Sequence, residues 1–73
     1  MTEWKIWTYT ATYHTGNAEQ MSERVNYAHE RVIADMVKSG EGYQPYQFTT
    51  STVGCDEIGR TTVCLIAVRE KTP

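Results

Sequence analysis

Val63-Cys64-Leu65-Ile66-Ala67-Val68 is an unbroken apolar run near the end of the chain, bounded by Arg60 and Thr61 on one side and Arg69 and Glu70 on the other. It is too short for an ordinary helix and rich in β-branched residues, so it reads as a strand buried on both faces. Such a strand needs a neighbour on each edge and a cover over each face. The other 60-odd residues of this 73-residue chain must supply all of these, and that requirement sets the architecture.

Two further strands are legible. Glu3 to Thr15, "EWKIWTYTATYHT", is dense in aromatic residues and Thr with no breaker, which suits a pleated surface. Alternation gives it one face of Trp7, Tyr9, Ala11 and Tyr13, and another of Trp4, Ile6, Thr8, Thr10 and Thr12. Tyr43 to Val53 forms the second strand. Pro45 has no N–H to give a ladder, so this strand belongs at an edge. The apolar run completes a third, from Arg60 to about Glu70.

One helix lies between the first two strands. Gly16 ends the first strand, Asn17 is a candidate N-cap, and Gln20 three residues later completes a capping-box pattern. Met21, Val25, Ala28, Val32 and Met36 then recur at spacings of three or four, widened by Ile33 and Val37 into an apolar stripe. Lys38 falls in the last turn and Gly40 suits the position just past it. The order is β-α-β-β. A crossover helix between parallel outer strands lets the third strand sit between them, antiparallel to both. The expectation is therefore one α+β domain over residues 1–73, with sheet order β1-β3-β2 and the helix over the Trp7/Tyr9/Ala11/Tyr13 side.

A chain this short has little to spare. Surface scaling gives roughly 4,600 Å² exposed once folded, and at this length hydrophobic gain and ordering cost nearly cancel. A staple would help, but the hairpin keeps Cys55 and Cys64 too far apart for a disulfide, and no metal-ligand set is present. Self-association remains, so the expected state is a homo-oligomer. Net charge is −2 with the seven basic residues scattered, which argues against nucleic-acid binding. With no secretory leader and no membrane-length apolar run, a cytoplasmic location is expected.

"GCDEIGRT", Gly54 to Thr61, has the spacing of a phosphate-binding loop with Arg60 in place of Lys. That motif needs a helix after it, so that backbone N–H groups and the helix dipole face the phosphates. Here a strand follows, and Asp56 and Glu57 would repel a polyphosphate. The segment reads as a hairpin bend. "HERVI" begins like a zinc-binding helix motif, but Ile33 occupies the second ligand position. Nothing in the spacing pairs His14, His29 or Cys55 with a catalytic group, and Asp56/Glu57 fall on exposed loop backbone where burial would not tune a carboxyl. Cys55 reads as an exposed or half-exposed thiol and Cys64 as a small buried residue. The chain is expected not to be an enzyme and to carry no cofactor or metal.

What remains is the sheet face away from the helix, with Trp4, Ile6, Thr8, Thr10 and Thr12 from β1. From β2 it takes one alternate set, either Tyr43, Gln47, Thr49 and Ser51 or Gln44, Tyr46, Phe48 and Thr50. Trp4, Tyr43, Gln47 and Tyr46 are the candidate ligand-binding residues. The β-α-β-β order and length are similar to those of dodecins, small flavin-sequestering oligomers whose sheets wrap a helix. The resemblance is topological; the helix approach "HTGNAEQM" departs from that family's Thr/Ser-rich one. It implies a planar ligand such as a flavin or nucleotide, held where subunits meet. The alternative is a small inhibitor or adaptor whose open face or edge strand takes a protein target, since Tyr and Trp anchor both kinds of interface.

Overall fold

A computed structural model describes residues 1–71, with Cys55 described by its backbone alone. The elements are β1 (Thr2–His14), α1 (Ala18–Lys38), β2 (Gln44–Cys55) and β3 (Ile58–Glu70). They form an α+β fold: a three-stranded antiparallel sheet in the order β1-β3-β2, with one helix. The apolar strand is central, as its composition requires.

The helix caps explain where α1 begins and ends. Asn17 is extended, and its side chain accepts from the Gln20 N–H at 2.9 Å. Gln20 reaches further back than a capping box predicts: its Oε1 accepts from the His14 N–H at 2.8 Å, tying the helix to the end of β1. At the other end Gly40 takes φ +66° and donates to the Val37 carbonyl at 3.1 Å, which stops the helix.

The helix lies over β1 and β3 and leaves β2 to one side. Ala28, Val32 and Met36 press onto Ala11, Val63, Leu65 and Ala67, with Trp7, Tyr9 and Tyr43 around this core. The odd-numbered residues of β3 from Gly59 to Ala67 are buried beneath it. Cys64, Ile66 and Val68, on the other face, are only half-buried. The double burial implied by the apolar run is thus half met within one chain, because a single helix shields a single face. Cys64 is a free thiol opposite Thr8 and Thr49, less enclosed than its composition suggested.

The β1–β3 ladder runs without interruption from Thr2↔Glu70 to His14↔Ile58. The β2–β3 ladder is broken by a bulge between Pro45 and Gln47. The hairpin turn is Asp56–Glu57, with Asp56 at φ 56°, a left-handed conformation that Asp tolerates. No helix follows it. Its outward carbonyls are taken by Thr15, whose N–H donates to Glu57 O at 2.9 Å and whose hydroxyl donates to Asp56 O at 3.3 Å. In backbone register Cys64 opposes Thr49 while Cys55 opposes Ile58. Six strand residues at ~3.3 Å each keep the two cysteines about 20 Å apart. How exposed the Cys55 thiol is lies outside the described side chains, and residues 72–73 lie outside the described residues.

Candidate functional site

Cross-strand register assigns the open face. Directly opposed residues share a face, so Trp4, Ile6, Thr8, Thr10 and Thr12 lie with Val68, Ile66, Cys64, Thr62 and Arg60. On β2, Gln44, Gln47, Thr49, Ser51 and Val53 join them. The bulge decides what alternation could not. An extra residue at Tyr46 lets both Tyr46 and Gln47 face the same way, while Phe48 passes to the helix side and lies 5.4 Å from the His29 ring. The two alternate sets of β2 are therefore mixed.

One end of this face is aromatic and apolar. Trp4 and Tyr46 stand edge-to-face with centroids 5.0 Å apart, a favourable ring geometry. They remain 54% and 63% exposed, and the neighbouring Ile6 is 59% exposed. The middle of the face is a field of hydroxyls, with Thr10 and Thr62 bonded at 2.9 Å. Formal charge enters at the two ends: through Arg60 at one, and at the other through Glu70, which opposes Thr2 and pairs with the Met1 amino group at 3.0 Å. Flat aromatic surface beside neutral donors and acceptors can stack on a planar molecule and hydrogen-bond its rim.

Of the four candidate residues, Trp4, Tyr46 and Gln47 are brought to one face. Tyr43 is not. It packs on the helix side, 5.5 Å from Trp7 and beneath the Arg69 guanidinium at 4.7 Å. There it belongs to a charged clasp. Arg69 Nε donates to Glu3 Oε1 at 2.9 Å, Arg69 Nη1 to the Glu41 carbonyl at 2.6 Å, and Lys5 Nζ to Glu41 Oε1 at 2.8 Å. The Lys5 hydrogen bond is the main reason that the Glu41 carboxyl is held below its ordinary pKa, with the charges of Lys5 and Arg69 adding to it. The clasp fixes the α1–β2 loop to the sheet.

Sequence reasoning passed over a second feature, on the helix side. Because α1 leaves β2 uncovered, a cavity of about 310 Å³ opens between them, lined by Tyr13, Met21, Val25, Asn26, Thr52 and Thr61 among others. Three hydroxyls run along it: Tyr13 to Thr61 at 2.7 Å, and Thr61 to Thr52 at 3.1 Å. Tyr13 and Thr61 are buried. The Thr run in β2 was a signal for hydroxyls, but only the off-centre helix makes a groove of them. A wider hollow at the hairpin end is lined by His14, Asp56, Glu57 and Ile58.

Among the described residues no three His, Cys, Asp or Glu side chains gather as a metal would need, and no helix is long and apolar enough to cross a membrane. Comparison with protein-family models, curated proteins and solved structures found no match to this chain. The likeness to dodecins therefore rests on the order of elements alone.

Proposed function

We propose that this protein is a non-enzymatic, homo-oligomeric binding protein that sequesters a small planar ligand, a nucleotide or flavin-like molecule, on its open sheet face near subunit contacts. The observation that carries the reading is the exposed Trp4–Tyr46 pair on a face whose middle, between Glu70 at one end and Arg60 at the other, is uncharged. Gln47, beside Tyr46 at the bulge, supplies an amide for the ligand's rim. Support for self-association comes from exposed area. The chain presents 5229 Å², about 600 Å² more than the ~4,600 Å² expected for its mass. That excess approaches the ~800 Å² which each partner hides in an ordinary interface.

The test is native mass spectrometry of protein purified from cells, followed by titration with flavin mononucleotide and adenine nucleotides read by tryptophan fluorescence. Binding should quench emission, and Trp4→Ala should weaken it about tenfold or more, as loss of one stacking partner does. An absence of bound molecule in the spectrum together with no saturable quenching up to millimolar ligand would sink this reading. If a single protein target co-purifies instead, the second reading holds, a small inhibitor or adaptor acting through its open sheet face or an edge strand.

A further inference from the structure

The two edges of the sheet are unequally protected. In an antiparallel ladder a residue directs both its N–H and its C=O toward its neighbour or both away, alternating along the strand. On β1 the inward phase falls on odd-numbered residues. Just past the strand ends, Thr15 N–H donates to Glu57 O and Lys71 N–H donates to Met1 O, at 2.9 and 2.8 Å. Even-numbered residues therefore face the free edge. Helix side chains close one end of it: Gln20 accepts from His14 N–H, and Arg24 Nη1 donates to the Thr12 carbonyl at 3.2 Å. Among the described residues no side chain caps the backbone groups of Thr2, Trp4, Ile6, Thr8 or Thr10. This uncapped run is centred on Ile6.

β2 is guarded. By register Pro45 opposes Ala67, whose own backbone groups turn toward β1, so the proline nitrogen faces outward and offers no donor. The adjacent bulge breaks the ladder rhythm there. Proline and bulges are the usual devices that keep an edge from templating another strand. β1, 13 residues long with continuous register, has neither.

We propose that the uncapped part of β1 is the surface through which two copies of this chain associate, pairing antiparallel about a two-fold axis at Ile6. This names the interface for the self-association invoked above. In that register Ile6 meets Ile6 of the second copy, Trp4 meets Thr8, and Thr2 meets Thr10. Each of these residues exchanges both backbone groups, so the whole uncapped run is used and the capped Thr12 and His14 stay outside. On the helix side Lys5 opposes Trp7 and Glu3 opposes Tyr9, so no like charges face each other. A register centred on Lys5 would set two ammonium groups together, and one centred on Thr8 would need the Thr12 carbonyl that Arg24 already holds. The pairing also buries Ile6 and brings the two Trp4 side chains toward a shared boundary.

Amide hydrogen exchange and sedimentation of the wild-type protein test this. At concentrations where a dimer forms, the Trp4, Ile6, Thr8 and Thr10 amides should be protected, and should lose protection as dilution gives monomer. Thr8→Pro removes an N–H that no partner within the chain uses, so the sheet should survive. Dimerisation should weaken at least about tenfold, from lost and stranded hydrogen bonds at a two-fold contact. A strict monomer, or a dimer whose four edge amides exchange freely, overturns the proposal; so does a folded Thr8→Pro protein that dimerises as tightly as wild type. If Thr8→Pro does not fold, the wild-type exchange pattern alone decides. The readout is assembly rather than ligand binding, so this inference and the proposed function can fail separately.

Discussion

Gly59 shows how one residue sets the limit of packing. It opposes Tyr13 across the β1–β3 ladder, and a Cβ built on it would meet Tyr13 Cε2 at 2.6 Å. That ring cannot swing away, because it is buried and its hydroxyl is held by Thr61 at 2.7 Å. Gly59→Ala should therefore cost about 1–3 kcal/mol through overpacking, read as a lower urea midpoint with unchanged slope. Tyr13→Phe in the same assay should cost about 1 kcal/mol, from the lost buried hydrogen bond. The sequence marked Gly59 only as turn punctuation. Its real constraint comes from a ring 46 positions away in the chain, which local pattern does not reveal. Trp4 was legible because aromatic type and strand alternation are local signals. Tyr43 was expected to open β2 and to bind ligand, but it precedes the strand, and its side of the sheet is set by Trp7 and Arg69.

At the level of elements, the order and extent of strands and helix follow from periodicity, caps and the Pro45 signal. The central place of β3 follows from its uninterrupted apolar character, and the continuity of Trp7, Tyr9, Ala11 and Tyr13 indicated which face the helix covers. The bulge at Tyr46 did not follow. Pro45 announces an edge, but nothing local announces an extra residue, and that residue reassigns every β2 side chain before it. The α1–β2 loop carries a pH-dependent prediction. Glu41 has a depressed pKa in the folded protein, owing first to its hydrogen bond from Lys5. Its contribution is thus fully present above the ordinary value of 4.5 and is lost as pH falls through the lower folded-state value. Glu41→Gln should flatten this part of the acid limb: thermal melts of variant and wild type differ at neutral pH and converge in strong acid.

The whole molecule is a narrow slab, 51 × 18 × 13 Å in its principal extents, with a helix on one side. Long strands give it ladder bonds in plenty but a thin core, concentrated where α1 crosses β1 and β3. If copies associate as proposed, the melting temperature should rise with protein concentration, by mass action on a folded state that alone can dimerise. Differential scanning fluorimetry over a hundredfold concentration range reads this directly, and a flat trace would indicate that the slab is stable by itself. The outward-facing Pro45 and its bulge have a further consequence. The proposed two-fold contact uses up both β1 edges and leaves β2 strands as the outer margins, where Pro45 and the bulge hinder addition at one end. A sheet this long and aromatic is thereby steered to a closed pair instead of an open-ended fibre.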